Sequence, residues 1–513
     1  MTIHTEHYYD IHAMKELSKE QLEILSRDPF GPSPLTAEST GIPSLLSGEE
    51  LSLLMWVRRH LLEMGADECK LSLSKSCSDN VCTLDGEIDQ VGHSMDRSLQ
   101  IAIIKDSKIG SYSTNRLSVE ALEEFLERSL ESVMMLEGEK ENVLPDIEGC
   151  STDAGDPLCM GNADLDTYKG ITPEDRIRYA ILLSQVASGD PALMGELLPE
   201  GFTLVSEEAE YSDRIIDNAV INSRGAAGRR IVTYFADSVS VTLQDPEGNL
   251  LSGYAWQGNT IWDKYKAMQP RKDFSIAVQR ALDKTGAAPV PSGKYTLVAD
   301  NSCSYALFSP IINSLSGNAL QQKRSFLCDS LGKKVFPSLL TVWDRPHTQG
   351  KPSSTPFDAN CVKTYDMPII ENGVLKNYYL GTYSSLKLGL KPTFSSIVRN
   401  VITPTVSTLE EVSLPSYILV TDFSGGNCNP VTGDFSYGVE GFKVEGGHRT
   451  PLSGMLITGN ILTLWGNLIH VVDDAPERFN DSVGTLVFEG VDFSGLDYPE
   501  GDGEEEGPYV QSE

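Results

Sequence analysis

SGEELSLLMWVRRHLLEMGADECKLSL, residues 47–73, changes its periodicity midway. Leu51, Leu54, Val57, Leu61 and Leu62 recur at helical intervals, whereas Cys69, Leu71 and Leu73 alternate with polar residues, the period of a half-buried strand. Ser47 and Glu50 stand at capping-box spacing and Gly65 follows the last periodic residue, so both ends of the helix are marked. A helix running straight into strands predicts an α+β fold whose first sheet is mixed or antiparallel.

Downstream, Leu99, Ile101 and Ile103 alternate again, and Ser118 stands where it caps a helix bearing Leu122, Leu126, Leu130 and Val133 on one face. Thr172-Pro173-Glu174-Asp175 carries a cap, a proline at the first helical position and acids at the positive end of the dipole. Val239, Val241 and Leu243 alternate before the turn Asp245-Pro246-Glu247-Gly248. Asp273 is expected to cap a helix from Phe274 to Lys284, and Gly286 to Pro291 reads as a linker. Beyond it, Ile369-Ile370-Glu371-Asn372-Gly373-Val374-Leu375 sets Asn-Gly between apolar runs, a strong hairpin signal. The expected organisation is an N-terminal extension over 1–46, rich in Pro, Ser, Thr and Gly; an N-terminal αβ domain over 47–289; a β-rich C-terminal domain over 290–492; and an acidic tail over 493–513 with too few apolar side chains to order itself.

The net charge of −32 repels phosphate backbones and argues against nucleic-acid binding by charge neutralisation. Nine cysteines with no C-x-x-C pair indicate neither a disulfide framework nor a zinc ribbon. The N-terminus lacks the regions of a secretory signal, and the apolar stretch from Met455 to Val472 is interrupted by Gly459, Asn460, Gly466, Asn467 and His470, so it falls short of a membrane span. A cytoplasmic protein is expected. Gly286 to Tyr295 has the wrong glycine spacing for a phosphate loop, Asp164-Leu165-Asp166 has Tyr168 where a calcium site needs a ligand, and no G-x-S-x-G elbow occurs. His60 is expected on the polar face of its helix and His347 in a hydrogen-bonded loop. Neither H-E-x-x-H nor H-E-x-x-x-H is present.

LSGNALQQKRSFLCDSLGKK, residues 315–334, leads from a small-residue helix end into a K-x-S-F-L-x-D-S-L-G-K-like run. Arg345-Pro346-His347, Ser353-Ser354-Thr355-Pro356-Phe357-Asp358, the Asn-Gly hairpin, residues 383–390, and the glycine-rich run from Gly425 to Gly438 with Gly441 to Gly447 follow in order. These ordered blocks resemble the TldD/TldE (PmbA) family, TldE subgroup, over roughly residues 50–490. In TldD-type relatives an H-E-x-x-x-H helix and a later cysteine supply three zinc ligands and a general base. The resemblance places Ser309, Pro310, Ser314 and Val483 at those positions. Hydroxyls are poor substitutes for imidazole, valine cannot coordinate, and proline cannot deprotonate water.

The resemblance therefore implies a non-catalytic subunit with no metal of its own, paired with a TldD-like zinc peptidase subunit that cleaves unfolded or short peptides. It also implies that Ser353, Thr355, Phe357, Asp358, Gly425, Gly426, Asn427, Asn429 and Gly433 are candidates for a groove holding peptide by β-addition. Tight turns explain the glycine block equally well, and turn chemistry explains Ser353 to Asp358. Thr393-Phe394-Ser395-Ser396 departs from a histidine-bearing loop found in many relatives. A self-associating peptide-binding or regulatory protein, homodimeric without a peptidase partner, is the alternative. A hydrolase using Ser309 or Ser314 lacks an identifiable base.

Overall fold

The computed structural model describes residues 18–31, 35–188, 198–477 and 480–495. Residues 1–17 and 496–513, which include the histidines near the N-terminus and nearly all of the acidic tail, lie outside the described residues. The capping box forms as expected: Ser47 Oγ accepts from Glu50 N, the Glu50 side chain accepts from Ser47 N, and the helix runs Gly48–Glu63.

Six antiparallel strands build the first sheet: β1 (Glu68–Leu84), β2 (Glu87–Lys105), β3 (Lys108–Thr114), β4 (Thr203–Asn222), β5 (Ala227–Gln244) and β6 (Leu250–Asn259), in the order β3-β2-β1-β4-β5-β6. Leu71, Leu73, Leu99, Ile101 and Ile103 face a core shared with the Gly48–Glu63 and Val119–Met134 helices. Another apolar cluster joins β4 and β5 to the Pro173–Ser188 and Asp273–Leu282 helices. Asp273 departs from the sequence reading: it is the first helical residue rather than the cap, and its carboxylate accepts from the buried Gln257 amide instead of a helical N–H. Chain preceding the first long helix also enters the cores, through Ile42, Leu45 and Leu46. Leu46 is fastened by its N–H to Asp217 Oδ2 at 2.8 Å, and Asp217 pairs with the buried Arg229 at 2.6 Å.

β7 (Gly293–Ala299) begins the second half. Strands β8 (Val342–Asp344), β9 (Met367–Glu371), β10 (Val374–Leu375) and β11 (Asn400–Ile402) form a small sheet in the order β10-β9-β8-β11. The expected hairpin joins β9 to β10; Asn372 and Gly373 both take positive φ, at 50° and 79°, as a type I′ turn requires. β12 (Ser416–Cys428), β13 (Asp434–Glu445), β14 (His448–Asn460), β15 (Leu468–Val471) and β16 (Leu486–Gly495) add to β7 in the order β14-β13-β12-β7-β16-β15. Pairing of β14 with β16 closes this sheet into a barrel, with β7 and β12 as its one parallel pair. The α+β architecture and the β-rich C-terminal half expected from the sequence are both present. Among the described residues, no helix is long and apolar enough to cross a membrane.

Candidate functional site

The helix Tyr305–Ser314 leaves β7 after a turn at Asp300, whose Oδ1 accepts from Ser302 N and Oγ. Leu307, Phe308, Ile311 and Ile312 are fully buried against the barrel. Phe308 packs on Trp465 with ring centroids 5.9 Å apart, and Trp465 Nε1 donates to Leu307 O at 3.0 Å. One helix face is thereby fixed. Ser309 and Pro310 are half-buried, with Pro310 inside the helix, where it removes a backbone donor. Ser314 is buried and its hydroxyl donates to Ile311 O at 2.6 Å, a local bond that commits it to its own helix. Val483 is buried, and its carbonyl lies 3.5 Å from Ser304 Oγ at the start of the helix.

Of the four positions assigned by resemblance, the structure sets Val483 beside the helix start. No hydrogen bond links it to Ser309 or Ser314. Two hydroxyls, a pyrrolidine ring and an isopropyl group contain no imidazole, thiolate or carboxylate, so these side chains do not fit a zinc ion.

A cavity of about 390 Å³ opens where this helix start meets the middle of β12 and the residues before Val483; Tyr305, Asp422, Phe423, Asp481 and Val483 line it. It adjoins a cleft of about 930 Å³ running between β6 and the barrel, in which Arg280, Lys284, Asp300 and Glu440 take part. Lys284 pairs with Glu440 at 3.1 Å across that cleft. Cys303, on the wall shared by both spaces, donates to Val420 O at 3.3 Å and Asp300 O at 3.4 Å. Burial pushes its thiol well above the ordinary range, aided by Asp300 and Asp422. It stays a thiol, which is a poor nucleophile.

Behind the cavity lies a polar network that no sequence pattern announces. Tyr379 OH donates to Asp344 Oδ2 at 2.9 Å and lies 3.0 Å from the Asn400 side-chain amide, while Asp481 Oδ1 accepts from Asn400 N at 2.7 Å. Burial raises Asp344 and Asp481 above the usual carboxylate range, against the pull of these donors. The members of the network, Asp344, Tyr379, Asn400 and Asp481, come from four separate segments, so no local pattern marks them.

The groove candidates fall into two sets that no hydrogen bond or ring contact joins. Ser353 to Asp358 pack between the halves. Thr355, Phe357 and Asp358 are buried, and the Phe357 ring occupies the space above Gly228, where a Cβ would lie 2.4 Å from it. Asp358 accepts four bonds: from Asn360 N at 2.8 Å, Val362 N at 3.0 Å, Ser395 N at 2.8 Å and Ser395 Oγ at 2.7 Å. Ser395, in the segment that departs from the family pattern, thus pins this loop.

Gly425, Gly426 and Asn427 are exposed on a bulge in β12, where the pairing with β13 shifts register. A Cβ on Gly426 would stand 1.9 Å from Ser436 O. Asn429 Oδ1 accepts from Val431 N at 2.9 Å, and Gly433, with φ of 79°, turns the chain into β13. Elsewhere, His60 stacks on Trp56 at 4.9 Å and His347 meets Thr364 Oγ1 at 3.0 Å. Asp164, the first acid of the rejected calcium motif, caps its helix and accepts from Trp262 N at 3.1 Å, so both of its carboxylate oxygens have protein donors.

Residues 292–495 match the PmbA/TldA metallopeptidase C-terminal domain, and residues 69–133 match PmbA/TldA metallopeptidase domain 1. A candidate modulator of DNA gyrase from Bacteroides thetaiotaomicron is 32% identical, with a TM-score of 0.81 over 88% of this chain and 100% of that one. Metalloprotease PmbA of Escherichia coli O157:H7 is 27% identical over 82% of this chain and 91% of its own length. TldE from Thermococcus kodakarensis, 18% identical, shares the fold with a TM-score of 0.67 over 86% of this chain and 100% of its own.

Proposed function

Because the chain belongs to the PmbA/TldD family of metallopeptidase-like proteins, we propose that it is a TldE/PmbA-like, non-catalytic subunit working with a zinc-bearing TldD-like partner. The partner supplies the metal chemistry on unfolded or short peptides, and this chain completes the peptide-binding enclosure. The observation that carries this reading is the donor chemistry at the family's ligand positions. Ser309, Pro310, Ser314 and Val483 offer no metal-binding side chain, and Ser314 already spends its hydroxyl on Ile311 O. The cavity beside the Tyr305–Ser314 helix and the adjoining cleft provide concave space for an extended peptide. All nine cysteines are free, which supports a reducing, cytoplasmic setting.

The test is reconstitution. The purified chain, supplied with zinc, is expected to leave an unstructured peptide intact, and cleavage is expected when a family member carrying H-E-x-x-x-H is added. Mass-spectrometric detection of cleavage by this chain alone overturns the reading. Failure to associate with any such partner, together with stable self-association, favours the homomeric peptide-binding alternative.

A further inference from the structure

On the first sheet, away from the family's ligand positions, the register of β1 and β2 places Asp79 directly opposite His93, with Cys77 one pleat along on the same face. His93 Nδ1 lies 2.7 Å from Asp79 Oδ1, and Cys77 Sγ lies 3.7 Å from Asp79 Oδ2. One donor atom from each of the three falls within 4.8 Å of the others. We infer that Cys77, Asp79 and His93 form a structural binding site for a borderline transition-metal dication of the zinc class.

Three features favour this over a plain polar contact. Sulfur, imidazole nitrogen and carboxylate oxygen together are the donor mixture that zinc accepts, with a fourth position left for water. Cys77 is buried while the His93 side chain is 60% exposed, so the set is closed on one side and open on the other, where an ion can enter. The surrounding charges also call for a cation. Arg176 binds Asp213 through Nε and Nη2, at 2.7 and 2.8 Å, and reaches Asp79 Oδ2 at 3.3 Å. One guanidinium therefore serves two carboxylates, and a negative charge is left over. A dication binding the Cys77 thiolate, whose proton passes to solvent, brings the group to neutrality. Arg176 further orients the ligating carboxylate from behind, as an outer-shell partner does.

The location gives the site a purpose. β3 pairs with β2 from Leu99 to Lys105, so among the described residues the stretch carrying His93 has β1 as its only strand neighbour. An ion held by Cys77, Asp79 and His93 staples the two strands where the sheet does not.

The site is independent of the subunit role proposed above. The full chain, stripped with chelator, is titrated with zinc against a chromophoric competitor, and separately with cobalt(II). One ion per chain and a near-ultraviolet thiolate-to-cobalt charge-transfer band are expected. Cys77→Ser should abolish the band, His93→Ala should weaken binding at least tenfold, and Cys159→Ser should change neither. Circular dichroism of the metal-free variants checks that they fold; His93 is exposed enough that its variant is expected to fold if Cys77→Ser does not. Because His4, His7 and His12 offer competing imidazoles, the triple alanine variant is titrated too and should retain the site. No stoichiometric binding, binding that survives both Cys77→Ser and His93→Ala, or binding lost only with the N-terminal histidines overturns the inference.

Discussion

Asp237 and Asp273 bring two carboxyl groups together beneath the Asp273–Leu282 helix, where Asp237 is 3% and Asp273 1% exposed. Burial first, and the charge of Asp273 second, push Asp237 up to about 8, although the Tyr265 hydroxyl opposes this. Glu207, buried beside Ser184, is pushed up to about 7, again chiefly by burial. Unfolded carboxyl groups release their protons near pH 4. Between that pH and the folded values, the unfolded chain has lost protons that the native state still holds. The stabilisation from these groups is therefore complete below about pH 4 and lost as pH rises through 7 to 8. Asp237→Asn should flatten the fall in melting temperature between pH 5 and pH 8.5, and adding Glu207→Gln should flatten it further. The difference corresponds to on the order of a few kcal/mol. Calorimetric curves for wild type and variants that run parallel across this range would contradict the assignment. None of this was legible in the sequence: Asp237 reads there as an ordinary polar position in an alternating strand, and its neighbour comes from a helix reached only after β6.

Where β6 meets the Asp273–Leu282 helix, Gly253 lets backbone approach backbone; a Cβ there would stand 1.9 Å from Ala277 O and 2.7 Å from Ala281 N. Because the obstacle is main chain, Gly253→Ala must lift the helix off the sheet. It should destabilise the protein by about 1–3 kcal/mol, as overpacking does, whereas Gly149→Ala, with nothing within 4 Å, should be neutral in urea melts. A neutral Gly253→Ala would mean that the helix is less tightly seated than this contact requires. Elements of this kind separate what could be read in advance from what could not. The Ser47–Glu50 box and the Asn372-Gly373 turn are local devices whose partners lie within three residues, and they were readable for that reason. Asp273 looked like a cap because acids favour that position, but Gln257 outcompeted the helix for its carboxylate. Closure of the barrel by β14 and β16 depends on a pairing no short-range signal encodes. At the candidate site, Ser309, Pro310, Ser314 and Val483 were assigned from the resemblance of ordered sequence blocks, not from any local physical signal. The burial of Phe357 against Gly228 and the four donors on Asp358 are products of folding.

Across the whole molecule, the halves are laced together by the segment from Gln349 to Cys361. Asn162, fully buried, donates to Lys351 O at 3.1 Å and Ser354 O at 3.0 Å; Thr260 Oγ1 donates to Gly350 O at 2.6 Å; and Ser151 N donates to Cys361 O at 2.8 Å. Lys70 Nζ reaches Asn360 Oδ1 at 2.7 Å from β1. These bonds join the second half of the chain to the face of the first sheet, and Phe357 adds an apolar plug at the same seam. Buried donors and acceptors that lose their partners cost about 1–3 kcal/mol each, so neither half can open this seam without paying for several at once. The halves should therefore unfold together. Trp262 sits in an aromatic cluster on the first sheet and Trp465 in the barrel core, so variants retaining only one or the other report on each half separately. Their urea transitions should coincide, and Asn162→Ala should shift both midpoints downward by the same amount. Separated transitions, or a shift confined to the Trp262 probe, would show that the seam does not couple the halves and that the enclosure proposed for peptide rests on two independently stable bodies.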